Sequence, residues 1–188
     1  MLKKSLSKSL NAAILAAALT LISMVSAPVA QAASAQQPIG TYNYWRVFVE
    51  GSGAAKYCFA LGEPTSSLPK GAERGKIFMS IAHRPGQGVR NEVAVSVGYA
   101  FSSESNPFAK IDGESFSFFT GVRAQNGADD WAWLLNLKDQ KRLVAAMKKG
   151  SKMVFKGTSA RGTLTTDSYS LRGVTAAMKA LDAACPAP

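Results

Sequence analysis

The feature that most constrains the fold is a strict alternation of large apolar and small or polar side chains within residues 90–101. The large apolar positions are Val93, Val95, Val97, Tyr99 and Phe101. Successive side chains of a β-strand point to opposite faces, so the pattern predicts a strand with one buried face. A shift of one residue would expose all of these side chains, and the register should therefore be firmly fixed.

Shorter segments with strand-like composition lie on both sides of this one. They cover residues 42–50, 56–61, 76–83, 108–111, 115–119, 131–133, 152–156 and 163–169. Asp112-Gly113 joins two of them and is a strong signal for a two-residue hairpin. Many short strands separated by turns predict a mainly β fold, namely an antiparallel β-sandwich or barrel-like single domain of about eight or nine strands.

Two helices are predicted late in the chain. Asn136 can cap a helix over residues 137–149 that ends at Gly150 and turns Leu137, Leu143, Val144 and Met147 inward. Ser170 can cap a C-terminal helix that ends before Pro186. In that second helix, steps of three and four residues place on one face Leu171, Val174, Met178, Leu181 and Cys185.

The N-terminal 32 residues have the features of a secretory signal peptide. Three lysines precede an apolar run over residues 12–25, and Ala30-Gln31-Ala32 follows as a cleavage pattern. The run is shorter than the roughly 20 residues of a spanning helix, which favours cleavage over an uncleaved anchor. We therefore expect a signal peptide over residues 1–32, a flexible mature N-terminus over 33–41 and a single β-rich domain over 42–188. The expected location is the periplasm, the outer membrane or the cell surface.

Export also determines what is expected of Cys58 and Cys185, which are the two cysteines of the chain. Two cysteines in an oxidising compartment usually pair, so we predict a disulfide between them. In the chain-entropy model a bond that closes so long a loop stabilises the fold by roughly 4–5 kcal/mol at most. One histidine and two cysteines make a metal site improbable, and no cofactor is expected.

The chain is basic, and its formal charge of +10 falls to +7 without the three lysines of the predicted signal peptide. Anionic envelope polymers, lipid head groups and a host cell surface are partners that such a charge favours. Nucleic acid is not expected, because export would separate the protein from it. Solubility alone is the simplest explanation of the charge.

Short motifs throughout residues 42–185 resemble the invasion-associated locus B family of exported Gram-negative proteins. They include Tyr57-Cys58, His83-Arg84-Pro85, Val89-Arg90-Asn91-Glu92-Val93, Ile111-Asp112-Gly113, residues 156–163 and Ala184-Cys185. The resemblance implies an exported, mainly β protein in a family named for a member linked to host-cell invasion. It implies no catalytic residues. This chain lacks the additional cysteines that some members carry near residues 119–124.

Two groups of cations are candidates for binding an anion or a partner. The first group is Arg84, Arg90 and Arg161, and the second is the predicted helix face with Lys138, Lys141, Arg142 and Lys149. Structural bridges between arginine and a carboxylate such as Asp167 are the competing interpretation of the first group. A solvated helix face is the competing interpretation of the second. Electrostatic docking would weaken in high salt.

Catalytic patterns are weak in this sequence. A Ser/His/Asp hydrolase would need His83, the only histidine, yet Asp167 and Ser168 are adjacent and would point to opposite faces of a strand. Asp129-Asp130 is more simply loop charge than a glycosidase pair, and residues 157–162 lack the lysine of a phosphate-binding loop. We expect a non-enzymatic binding or host-interaction factor. A periplasmic envelope-maintenance module that binds an anionic polymer or small ligand, and an uncharacterised hydrolase, are the alternatives.

Overall fold

The computed structural model describes residues 37–187, and every element in it belongs to one compact unit. Within these residues, eleven antiparallel strands form a single sheet that does not close. The predicted mainly β, antiparallel fold with a C-terminal helix is thus confirmed. The predicted signal peptide lies outside the described residues.

The strands and helices have the following bounds. The strands are β1 Gln37–Tyr42, β2 Trp45–Glu50, β3 Tyr57–Gly62, β4 Ser66–Leu68, β5 Phe78–Arg84, β6 Val89–Ser96, β7 Phe108–Ile111, β8 Glu114–Thr120, β9 Trp131–Leu134, β10 Lys152–Thr158 and β11 Leu164–Ser170. The helices are α1 Gly121–Ala124, α2 Gln140–Lys149 and α3 Val174–Ala184. Across the sheet the order is β1-β2-β3-β5-β6-β9-β8-β7-β10-β11-β4.

The strand count of eight or nine was too low. Residues 37–41 belong to the segment expected to be a flexible N-terminus, but they lie in β1, which pairs with β2. Residues 66–68 lie outside the predicted strands, but they form β4 on the outer side of β11. Both are edge strands without the alternation that indicates one buried face, so their pairing depends on the neighbouring strand.

The sheet has one half with β1, β2, β3, β5 and β6 and another with β7, β10, β11 and β4, joined through β9 and β8. A single apolar core contains residues from both halves and from α2 and α3. Trp45 of β2, Val95 of β6 and Phe155 of β10 are all fully buried within it. Phe118 meets Phe155 edge to face, with ring centroids 5.3 Å apart. The predicted hairpin at Asp112-Gly113 forms, and both residues have the positive φ of a type I′ turn.

Helices α2 and α3 cover the inner side of the sheet. Leu143, Val144 and Met147 of α2 are buried, as predicted. The apolar face predicted for α3 is also buried, although the helix begins at Val174, after Gly173, rather than at Ser170. Leu171 lies before the helix and is buried in the core.

Candidate binding surface

A β-bulge shapes the end of the sheet that lies beside both long helices. Ala82 pairs with Glu92 and Arg84 pairs with Val89, so two residues of β6 lie opposite one residue of β5. The two residues are Arg90 and Asn91, and Asn91 has a φ of 53°, which asparagine tolerates better than most residues. The bulge changes the direction in which their side chains leave the strand.

The bulge brings Arg90 to the C-terminal end of α3. Its Nη1 donates a hydrogen bond to the carbonyl oxygen of Cys185 at 2.9 Å, and its Nη2 pairs with Asp182. A cation is favourable there because the last carbonyls of a helix carry partial negative charge. The Gln140 side chain of α2 donates to the carbonyl oxygen of Arg90. The first turn of α2 and the last turn of α3 are therefore fastened to the same bulge.

The predicted disulfide lies under this end. Cys58 and Cys185 are bonded, with their Cα atoms 6.1 Å apart and both side chains fully buried. The bond ties the end of α3 to β3, an early strand at the centre of its half of the sheet. We call this end of the molecule, where α2, α3 and the β5–β6 bulge meet, the helix-covered end.

His83 lies against the disulfide, since it is the cross-strand partner of Cys58. It is fully buried, and its Nε2 is 3.1 Å from Oδ1 of Asn91. Nδ1 has no hydrogen-bond partner among residues 37–187 and is 3.9 Å from Oδ1 of Asp182. Burial lowers the pKa of the imidazole, and the charge of Arg90 lowers it further.

The hydrolase arrangement is not assembled around this histidine. Asp167 and Ser168 lie in β11, in the other half of the sheet. Asp167 is fully buried and accepts two hydrogen bonds from Arg74, at 2.8 and 2.7 Å. A buried arginine–carboxylate bridge was expected for Asp167, but Arg74 was not identified as its partner. Arg74 lies in the long segment between β4 and β5, where no periodicity connects it with β11.

Six of the seven predicted cations lie at the helix-covered end. They are Arg84, Arg90, Lys138, Lys141, Arg142 and Lys149. Arg161 lies in the turn between β10 and β11, where the amide of Ala160 donates to the carbonyl oxygen of Ala100. Ala100 follows the far end of β6, so Arg161 is at the opposite end of that strand from Arg90. The three arginines do not form one patch.

The arginines of the helix-covered end are occupied by carboxylates. Arg84 pairs with Glu92 at 2.7 Å, and Arg90 pairs with Asp182. Arg142 contacts both Glu114 and Asp139, at 2.9 and 3.1 Å, and lies over the Phe116 ring at 4.3 Å. These contacts favour the structural interpretation of the three arginines.

The lysines of the same end differ. In the part of the chain that the structure describes, none of them has a carboxylate oxygen within 4.0 Å. We call them the lysine cluster, and they are Lys138, Lys141, Lys148 and Lys149, all exposed. Glu92 and Asp139, near the start of α2, already have arginine partners, so Lys138 and Lys141 add positive charge there. Asp112, beside Gly150 at the other end of α2, has no arginine partner among the described residues.

Exposed apolar side chains lie next to the lysine cluster. Leu135 is 56% exposed and Leu137 is 75% exposed, whereas Leu134, the last residue of β9, is buried. Leu137 was predicted to face inward. It lies in a 3₁₀ turn, Leu137–Asp139, that precedes α2, and the 3.6-residue period of α2 does not extend through that tighter turn. We call Leu135 and Leu137 the leucine pair.

Two hollows meet at Gln140, and the leucine pair lines one of them. A hollow of about 400 Å³ is lined mainly by apolar residues, which are Val93, Phe119, Trp133, Leu134, Leu135 and Leu137. A second hollow of about 280 Å³ contains Lys141 and Lys148. Gln140 lines both. The surface therefore places an apolar hollow directly beside a basic one.

The fold and this surface define a class: a disulfide-closed antiparallel β protein whose two long helices fasten to one end, where α2 and the turn before it carry exposed lysines. The family model described as Invasion associated locus B (IalB) protein matches residues 45–182, most of the chain. The protein belongs to this family, which confirms the resemblance seen in the sequence. No curated protein and no solved structure matches the chain. Within residues 37–187, no helix is long and apolar enough to cross a membrane.

Proposed function

We propose that the protein is an exported, non-enzymatic binding protein of the cell envelope or cell surface, which attaches to an anionic partner through its helix-covered end. The observation that carries this proposal is the lysine cluster, whose members have no carboxylate in contact within the described residues. Unpaired cations remain free to bind phosphate, sulfate or carboxylate groups of a partner.

The lysines can act together. Lys141, Lys148 and Lys149 belong to one helix of ten residues, which is about 15 Å long. At physiological ionic strength each lysine attracts mainly the anionic groups that lie within about 8 Å of it. An extended anionic surface lying along the helix would bring such groups within reach of several lysines at once, which a single small anion would not.

Export and the absence of catalysis have separate support. The basic and apolar segments of the N-terminus are typical of a signal peptide, and the Cys58–Cys185 bond is compatible with an oxidising compartment. His83 is buried, hydrogen-bonded to Asn91 and separated from the Asp167 and Ser168 of a conceivable triad. A catalytic histidine would need access to a substrate.

The proposal is tested by elution of the chain from Ala33 onward from immobilised heparin, a sulfated polysaccharide. We expect Lys141→Gln with Lys148→Gln to elute at distinctly lower salt than the unchanged protein. The matched control is Lys70→Gln with Lys76→Gln, which removes the same charge from exposed lysines outside the cluster. Equal elution of the two double variants would show that only net charge matters, and the proposal would then fail.

A second candidate is a periplasmic envelope-maintenance module that binds a small ligand. It is supported by a hollow of about 780 Å³ on the outer face of the sheet, lined by Arg46, Phe48, Leu61 and Phe78 among others. That volume lies within the usual range of small-molecule sites, roughly 300–1,000 Å³. Arg46 pairs there with Glu63, however, which leaves less charge for a ligand. Ligand-dependent thermal shifts that Phe78→Ala abolishes would favour this candidate.

A further inference from the structure

We infer that the anionic partner is the surface of a lipid bilayer, and that the leucine pair enters its head-group region while the lysine cluster contacts the lipid phosphates. This inference rests on the proposed function and specifies its partner. It follows from observations on the leucine pair, its aromatic neighbours and the lysines, and from a comparison of a bilayer with soluble polyanions.

The leucine pair is held outward by local structure. The Leu135 amide donates to the carbonyl oxygen of Ser117 in β8, at 2.9 Å. The Asn136 side chain accepts from the Lys138 amide at 3.0 Å, and the Asp139 amide donates to the Asn136 carbonyl. These bonds fix the backbone on both sides of each leucine. Two large apolar side chains are therefore presented to solvent by an ordered turn.

Aromatic rings continue the apolar surface from the leucine pair across the outer face of the sheet. Trp133 and Phe119 are half-buried and stacked, with centroids 5.7 Å apart, and both line the apolar hollow with Leu135 and Leu137. Trp131 stacks on Trp133 from the other side at 6.1 Å. Tryptophan is favoured at the boundary between lipid tails and head groups, because its ring is apolar and its N–H is polar.

The charges next to this apolar surface have the sign that an anionic membrane attracts. Lys138 follows Leu137 directly, and Lys141 is one turn further along. The nearest acidic side chains, Glu92 and Asp139, are paired with Arg84 and Arg142. Leucine and tryptophan on one side with lysine on the other is the pattern of surfaces that lie in the membrane interface.

A bilayer uses both halves of this surface. A polysaccharide or a polyphosphate offers charge to the lysines but has no apolar compartment for the leucine pair. Anionic lipids attract nearby lysines, and the acyl chains beneath accept apolar side chains. The contiguity of the two hollows through Gln140 therefore favours lipid over a soluble polyanion.

The test is sedimentation of the chain from Ala33 onward with vesicles of phosphatidylcholine and phosphatidylglycerol, compared with vesicles of phosphatidylcholine alone. We expect binding to the anionic vesicles only. Leu135→Ser with Leu137→Ser should weaken it about tenfold or more, because the apolar contribution is lost. Lys138→Gln with Lys141→Gln should weaken it about 25-fold, from about fivefold for each lysine.

Matched controls separate this surface from general stickiness. Leu164 is 60% exposed but lies at the start of β11, near Arg161, at the opposite end of β6 from the helix-covered end. Leu164→Ser should bind vesicles as the unchanged protein does. Thermal unfolding of each variant checks the fold, and exposed leucines should be replaceable without a loss of stability.

Heparin elution of the same variants distinguishes the two levels of the proposal. We expect Leu135→Ser with Leu137→Ser to elute from heparin at the unchanged salt concentration while it binds vesicles about tenfold or more weakly. If the protein binds heparin but not anionic vesicles, or if the leucine variant binds vesicles normally, the lipid inference is wrong and the proposed function stands. If it binds neither through the lysine cluster, both are wrong.

Discussion

At the scale of single residues, His83 links the stability of the fold to pH. Its pKa is lowered from the ordinary value of 6.5, mainly by burial, and the charged neighbours that face it are Arg90 and Asp182. Below about pH 6.5 the unfolded chain binds a proton that the folded chain does not. The free energy of unfolding should therefore fall as the pH falls below about 6.5. Above that pH the histidine is neutral in both states, and His83 should no longer make stability depend on pH.

This prediction is measured by urea unfolding at several pH values between about 5 and 8. We expect His83→Gln, which can still bond to Asn91, to be less sensitive to acid over this range than the unchanged protein. If both proteins lost the same free energy between neutral and acidic pH, His83 would not be the group responsible.

The buried ion pair between Arg74 and Asp167 allows a second prediction about the stability of the fold. Both side chains are almost entirely buried, and Arg74 also lies over the Tyr99 ring at 5.0 Å. Arg74→Leu would leave the Asp167 carboxylate buried without a counter-ion, and we expect it to cost about 3–5 kcal/mol of stability.

The double variant Arg74→Leu with Asp167→Leu is the informative comparison for this pair. It removes both charges, so we expect it to be more stable than Arg74→Leu alone. Urea unfolding of the three proteins decides the matter. A double variant less stable than the single one would mean that Asp167 has another important partner.

At the scale of elements, the docking of α3 depends on Gly173. Its φ is +95°, and a Cβ atom there would lie 1.9 Å from the carbonyl oxygen of Tyr42. The β1–β2 turn therefore lies against the backbone that starts α3. Gly173→Ala combines an unfavourable φ with a clash against backbone, and we expect a loss of at least about 2 kcal/mol in the free energy of unfolding.

Gly162 is the matched control for this change. It also has a positive φ, +79°, but a Cβ atom there would meet nothing within 4 Å. Gly162→Ala should therefore cost only the conformational part, about 1 kcal/mol. Similar losses for the two variants, measured by thermal unfolding, would contradict the proposed contact between the β1–β2 turn and α3.

Elements with strong local patterns were predictable from the sequence, and those fixed by distant contacts were not. The hairpin at Asp112-Gly113 and the buried face of α3 appear where the pattern placed them. The alternation of β6 is confirmed only in part: the strand ends at Ser96, before Gly98 with its positive φ, so Val97 and Phe101 are buried but lie outside the strand. Strand β4 has three residues and forms because β11 offers it an edge. A contact of that kind joins residues roughly a hundred positions apart and leaves no local period.

Only part of the candidate binding surface was predictable from the sequence. The lysines of α2 were identified by their helical positions, and Lys141 and Lys149 are exposed on that helix. The separation of Arg161 from Arg90 depends on which end of β6 each turn reaches, and the outward direction of Leu137 depends on a 3₁₀ turn. Neither follows from the spacing of residues, because each is decided by how elements meet in space.

At the scale of the whole molecule, the fastening and the candidate surface share one end but use different residues. Arg90, Cys58 and Cys185 hold α3, whereas the exposed lysines belong to α2 and the turn before it. Helix α2 keeps its own attachment through Gln140 and its buried apolar face. Stability and binding should therefore be separable by mutation.

The disulfide gives the clearest test of that separation. It joins residues 127 positions apart in the sequence, so removing it should lower the free energy of unfolding by about 2–5 kcal/mol. We expect Cys58→Ser with Cys185→Ser to remain folded under native conditions, because Arg90 still bonds to the end of α3 and the apolar face of α3 stays buried. Elution from heparin should be unchanged, since the lysine cluster is intact. Reductant should shift the urea midpoint of the unchanged protein to that of the double variant, and should leave the double variant itself unaffected. If reductant did not shift the urea midpoint of the unchanged protein, the bond would not stabilise the fold as expected. If the folded double variant no longer bound heparin, the bond and the binding surface would not be independent.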